Sequence, residues 1–157
     1  MPAPSTSEQD IDHVAAGLVA CLPALHRALE RRIGQDFPHP KLPEGQLALL
    51  RLIEAHEGVT VREAADALLM KPNNVSALVS QLSEQGLLER RQDTADKRIA
   101  HLYLTATSRA RLAEVERLRG AHVAHALRAL SDGQLDALGS ALGALNALTG
   151  HLHSAAH

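Results

Sequence analysis

The chain has 157 residues, a formal net charge of −2 and a hydrophobic content of 45%, with Phe, Tyr and Trp together only 1%. That length fits one ordinary domain with a core of Leu, Ala and Val, and the helix propensity of Leu and Ala predicts a mainly α protein. The charge excludes a globally basic nucleic-acid binder, and the single Cys21 excludes an internal disulfide and fits a reducing compartment. No apolar run approaches the roughly 18 residues of a membrane span, and the start MPAPSTSEQDIDH has neither a basic n-region nor an apolar h-region. The expectation is a cytoplasmic protein with no membrane partner.

Residues 1–6 read as a frayed polar tail. From Ser7 a long helix is expected, because Ile11, Val14, Leu18, Cys21, Leu22, Leu25 and Leu29 recur at spacings of three and four, a pattern that stops before Gly34. GQDFPHPKLP, with three prolines in ten residues, is a loop, and a second helix runs roughly from Pro43 to His56 with Leu47, Leu50 and Ile53 on one side. Gly58 breaks it. Thr60 followed three residues later by Glu63 is a capping box that opens a third helix over about Val61–Leu69, carrying Val61, Ala64, Ala65 and Leu68. Pro72 suits the first turn of a fourth helix after so short a connection that a helix-turn-helix is predicted.

On a helical wheel of about 100° per residue, the fourth helix, Pro72 to Gln85, separates cleanly. Val75, Leu78, Val79 and Leu82 share one face, while Asn73, Ala77, Ser80 and Glu84 lie opposite, flanked by Asn74, Ser76 and Gln81. Gly86 supplies the stop. Two strand-like runs follow, Leu87 to Gln92 and Arg98 to Leu104, joined by the turn residues DTAD. The second alternates Ala100, Leu102 and Leu104 against His101 and Tyr103, so the pair is a hairpin, or wing. Thr105 or Thr107 then caps a fifth helix with Leu112, Val115, Leu118, Val123, Leu127 and Leu130, and the Ser131/Gln134 box opens a sixth with Leu135, Leu138, Leu142, Leu145, Leu148 and Leu152.

The fold expected is therefore mainly α with a small β-hairpin wing: a winged helix-turn-helix over 43–105 within a single domain, plus terminal helices over 7–33 and 106–152. The apolar stripes of those terminal helices need partners. Ile11, Val14, Leu18, Leu138, Leu142, Leu145 and Leu148 are the candidates for a two-fold homodimer interface.

In this order of elements, and in the wing Asp96-Lys97-Arg98-Ile99-Ala100-His101-Leu102-Tyr103-Leu104-Thr105, the chain resembles the MarR family of transcription regulators. The wing fits the family pattern D-x-R-x-x-x-L-x-L-T at every fixed position. Gln85-Gly86-Leu87 and Leu130-Ser131 are further matches, and the resemblance covers roughly residues 7–152. It implies a dimeric winged-helix regulator, usually a repressor, that leaves a palindromic operator in double-stranded DNA when a small molecule binds. One departure is that Lys71-Pro72 stands where the family often has a Ser or Thr cap.

The candidate DNA contacts follow from groove chemistry. Asn73 can pair bidentately with adenine, Ala77 can meet a thymine methyl, and Ser76 and Ser80 suit base or phosphate. Pro72 and Asn74 flank these positions, and Thr60 and Arg62 open the preceding helix. Arg90, Arg91, Lys97 and Arg98 place four cations on one hairpin for phosphates or the minor groove, with Arg98 foremost and Asp96 orienting it. Glu89 and Asp93 read as a solvated charged turn.

The resemblance places the effector between the dimerisation helices and the winged lobe. A lining of Leu, Ala and Val there favours a small apolar or aromatic ligand. Cys21 reads as a buried, inert thiol, although a thiol-responsive regulator is an alternative. His122 and His125, at a spacing of three among ten histidines, are the alternative metal site, with His39 or Glu44 as further ligands brought over by the fold, but read better as packed or solvent-facing. His151, His153 and His157 are expected in a disordered tail. No cofactor is expected. A Gly-rich phosphate loop, a recognisable Ser/His/Asp pattern and HExxH are all missing from the sequence, so an enzyme is not expected. A winged-helix module that binds protein is the remaining alternative.

Overall fold

The computed structural model describes residues 6–154; of the tail expected over residues 1–6, Thr6 opens the first helix, and the rest, with His157, lies outside the described residues. Six helices and one hairpin follow in the order α1 (Thr6–Asp36), α2 (Glu44–Ala55), α3 (Val61–Ala67), α4 (Pro72–Glu84), β1 (Leu88–Gln92), β2 (Ala100–Leu104), α5 (Ala106–Leu127) and α6 (Asp132–Ser154). The mainly α architecture with a β-hairpin wing is the one the periodicity predicts.

Several boundaries differ. α1 runs through Pro23 and past Gly34 to Asp36, because Ile33, only 5% exposed, anchors its last turns by burial, which offsets the helix cost of glycine. α3 stops at Ala67, where the Leu68 amide bonds back to the Ala64 carbonyl and Leu69 turns to φ +53°. The second wing strand starts at Ala100 rather than Arg98, since residues 93–99 form the turn. α5 ends at Leu127, leaving Leu130 in the turn before α6.

The chain divides into two compact units, Glu30–Leu118 and Met1–Leu29 with Arg119–His157. The core of the first is Leu49, Leu50 and Ile53 of α2, Ala64 and Ala65 of α3, Val75, Val79 and Leu82 of α4, then Leu87, Leu88, Leu102, Leu104 and Leu112. Each fully buried Leu contributes about 1.5–3 kcal/mol relative to exposure, so the aliphatic set suffices without large rings. The hairpin pairs antiparallel from Leu88 opposite Leu104 to Gln92 opposite Ala100. A third segment joins β2 on its other side: the Gly58 amide donates to the Leu102 carbonyl and the Leu102 amide to the Val59 carbonyl, both at 2.9 Å, and Thr60 bridges to His101. Gly58 adopts φ +84°, which favours glycine, and a Cβ there would also crowd the Tyr103 hydroxyl at 3.1 Å.

In the second unit, no described residue of α6 is buried. Its capping box is formed as expected, the Gln134 amide donating to Ser131 Oγ at 3.3 Å and the Ser131 amide to Gln134 Oε1 at 3.1 Å. Ile11, Val14, Leu138, Leu142 and Leu148 are 38–64% exposed, with Leu18 and Leu145 half-buried. Two expectations fail here. Cys21 is exposed, as are all of residues 19–28 of α1. His151 and His153 belong to α6, whose end is held by bonds from Thr149 Oγ1 to the Leu145 carbonyl and from Ser154 Oγ to the Gly150 carbonyl, rather than lying in a disordered tail.

Candidate nucleic-acid interface

The capping box at Thr60 sets where α3 begins. The Glu63 amide donates to Thr60 Oγ1 at 3.2 Å, and the Thr60 amide donates to Glu63 Oε2 at 2.7 Å. That backbone bond, more than any other influence, holds the Glu63 carboxyl below its usual range. The Thr60 hydroxyl is thereby engaged in helix capping, whereas Arg62 is exposed. After the turn, Lys71 caps α4 without a side-chain bond, as the missing hydroxyl at that position implies, and Pro72 presets the first turn.

Burial of Val75, Val79 and Leu82, with Leu78 half-buried, turns Asn73, Asn74, Ser76, Ala77 and Ser80 outward, all exposed. A polar bond that the sequence reading did not anticipate helps hold this setting. Gln46 of α2 is 6% exposed, donates through Nε2 to Gln81 Oε1 at 3.0 Å and accepts at Oε1 from Gln85 Nε2 at 3.4 Å. Its only signal was position: it stands three, four and seven residues before Leu49, Leu50 and Ile53, on the face that should be apolar.

On the wing, the four cations are not equivalent. Arg90 NH2 donates to Ser80 Oγ at 2.9 Å, fastening β1 to α4. Arg91 lies over the Tyr103 ring, 4.2 Å from its centroid, and bonds Glu89 at 3.1 Å. Lys97 is exposed. Arg98 stands in the turn with its side chain 92% exposed, held from behind by Asp96: Nε meets Oδ1 at 3.1 Å and NH2 meets Oδ2 at 3.3 Å. That bidentate bond is the main reason the Asp96 carboxyl lies below its ordinary value.

Asp93 does more than solvate the turn. Its Oδ2 accepts from the amides of Ala95 and Asp96, both at 2.9 Å, while Oδ1 lies 3.0 Å from His101 Nε2. The Asp96 amide first, and His101 second, lower its carboxyl to about 2. His101, expected on the face of its strand opposite Leu102, is about two-thirds covered, and its Nδ1 lies 2.8 Å from the Gly58 carbonyl.

A cavity of about 310 Å³ beside α5 is lined by Phe37, His39, Thr107, Ala110, Arg111 and Glu114. This lining mixes an aromatic ring with charged groups, in contrast to the Leu, Ala and Val expected around an effector. Glu114 is paired with Arg117, which holds its carboxyl low. Among the described residues, no three His, Cys, Asp or Glu side chains are grouped so as to hold a metal ion, and His122 and His125 sit on α5.

The description of the MarR family matches residues 41–99, from ahead of α2 into the wing. The HTH-type transcriptional repressor MdtR of Bacillus subtilis (strain 168) is 24% identical over 124 residues, which span 79% of this chain and 80% of that protein. Among solved structures, RV1404 from Mycobacterium tuberculosis superposes with a TM-score of 0.71 at 18% identity, covering 93% of this chain and 95% of that one. A mutant of S. aureus MepR, bound to an oligodeoxyribonucleotide, superposes at 0.66 with 18% identity over 83% of this chain and 96% of its own.

Proposed function

We infer that this chain, which belongs to the MarR family, is a homodimeric, sequence-specific DNA-binding transcription regulator rather than an enzyme. The observation that carries this reading is the outward face of α4. Its first turns present Asn73, Asn74, Ser76, Ala77 and Ser80, small and uncharged, beside a wing that projects Arg98. Such a face approaches base edges closely, while the neighbouring guanidinium meets phosphate or the minor groove.

In this reading 43–105 is the DNA-binding lobe, with Thr60, Arg62, Pro72, Asn73, Asn74, Ser76, Ala77, Ser80, Arg90, Arg91, Lys97 and Arg98 its contacts, and 7–33 and 106–152 form the dimerisation region. The exposed Ile11, Val14, Leu138, Leu142 and Leu148 support a second copy as the partner, since soluble chains seldom leave such a stripe bare. Two recognition helices roughly 34 Å apart then meet successive major grooves of a palindromic operator. The name of MdtR supports repression, and MepR seen on an oligodeoxyribonucleotide supports a duplex partner. Release by a small apolar or aromatic effector completes the reading. No helix among the described residues is long and apolar enough to cross a membrane, and the proposed setting is the cytoplasm.

The test is selection of duplexes from a random-sequence pool, followed by affinity against salt. A palindromic consensus and a steep negative dependence of log K on log salt are expected, with Asn73→Ala changing base preference at one position of each half-site. Failure to retain any duplex at low salt would overturn the reading.

A further inference from the structure

The two acceptors around His101 restrict its protonation state. Nδ1 faces the backbone carbonyl of Gly58 at 2.8 Å, and Nε2 faces a carboxylate oxygen of Asp93 at 3.0 Å. Neither oxygen can donate. A neutral imidazole has one N–H and can satisfy only one of them, leaving a lone pair directed at the other; the imidazolium has two and satisfies both. The two partners belong to different parts of the DNA-binding lobe. Gly58 lies two residues before the Thr60 cap of α3, and Asp93 organises the turn that carries Asp96 and Arg98.

We propose that His101 is a positioning residue which, as the imidazolium, clasps the turn of the wing to the segment entering the helix-turn-helix, so that duplex binding weakens when the ring loses its proton. The inference rests on the DNA-binding reading above. It gives the regulator a response to pH that requires no small molecule.

The surroundings favour the charged ring. Asp93 and then the Gly58 carbonyl raise the tendency of His101 to hold its proton above that of an ordinary histidine, with Glu63 of α3 adding a more distant negative charge. Arg91, the register partner of His101 across the hairpin, is the opposing cation, and its guanidinium is held by Glu89 and the Tyr103 ring. Because the folded ring binds its proton more tightly than the unfolded chain does, the clasp is fully present below the usual histidine value of about 6.5. It is lost as pH rises through the raised folded value. At the acid end it depends on Asp93, whose carboxyl ionises at about 2.

The test is the affinity of the full chain for its selected duplex from pH 6 to 8.5 at constant ionic strength, alongside His101→Gln. A side-chain nitrogen titration by NMR supplies a readout free of DNA. Wild type should bind about fivefold more weakly at the alkaline end, a coupling at the low end of the usual range, while His101→Gln should lose that step and keep only the drift from other histidines. Both His101 ring nitrogens should be protonated at pH 6, with a midpoint above the ordinary one that falls in Asp93→Asn. A profile shared by wild type and His101→Gln, or an ordinary midpoint, overturns the clasp while leaving DNA binding intact. Absence of duplex binding at every pH removes the DNA-binding reading and this inference with it.

Discussion

Arg90 and Ser80 are joined by a 2.9 Å bond from the guanidinium to the hydroxyl, which ties the first strand of the wing to the outward face of α4. Each of these side chains is a candidate for DNA, so the pair has to serve the duplex jointly. Ser80→Ala and Arg90→Ala should each weaken duplex binding, and the double variant should lose less than the sum, with a coupling of about 0.5 kcal/mol or more. A double-mutant cycle in affinity measures this directly; strictly additive losses would show that the bond is irrelevant on DNA.

Arg98 should behave differently because, among the described residues, Asp96 is its bonding partner. Arg98→Ala is expected to lower duplex affinity roughly tenfold, an estimate for one charged contact to phosphate, and to reduce the salt slope by about 1. Its thermal midpoint should hardly move, since an exposed ion pair stabilises little. Asp96→Ala should produce a smaller loss by freeing the guanidinium. Unchanged affinity in Arg98→Ala would remove the wing from the interface.

The bare stripe on α6 predicts an oligomeric state. Leu142 is 59% exposed, and in a dimer Leu142→Glu would place a carboxylate in the apolar seam. Sedimentation should show wild type as a dimer and the variant shifted to monomer, with operator affinity falling together with it. Retention of a dimer would move the interface elsewhere.

Leu69 is 94% exposed and sits at φ +53° in the turn between α3 and α4. A β-carbon is disfavoured in that conformation by roughly 1 kcal/mol, a cost that glycine avoids. Leu69→Gly should therefore raise stability by about that amount in denaturant unfolding. A lower midpoint would mean that Leu69 makes contacts outweighing the strain.

Acid should weaken the wing through Asp93. Its folded carboxyl titrates at about 2, below the unfolded value of about 3.9. Its contribution to stability is therefore complete above the unfolded value and lost as pH falls towards the folded one. Asp93→Asn should flatten that part of the curve of stability against pH; an identical acid limb in both proteins would contradict the assigned bonds.

Much of this was legible in the chain because the informative residues act locally. The Thr60/Glu63 and Ser131/Gln134 boxes, Pro72 at a first turn and the four apolar residues of α4 encode their structure within a few positions. The pairing of Asp96 with Arg98 is equally local. What escaped was long-range: Gln46 finds Gln81 across 35 residues, and His101 finds Gly58 across 43. A polar side chain carries no mark of which distant acceptor will satisfy it, and the alternation of β2 places His101 only on the face opposite Leu102. Gly34 misled for the opposite reason, since a local breaker was overridden by the burial of Ile33. The spacing of Cys21 predicts burial, yet it is exposed among the described residues.

Gln46 sits out of water with its amide shared between Gln81 and Gln85. Apolar contacts are non-directional, whereas hydrogen bonds from one planar amide favour one setting of the helix. The azimuth of α4 about its own axis is thus indexed to α2. The angle at which Asn73 and Ser76 face outward is decided on the opposite, buried side of the same helix, by a residue far too deep to touch a ligand.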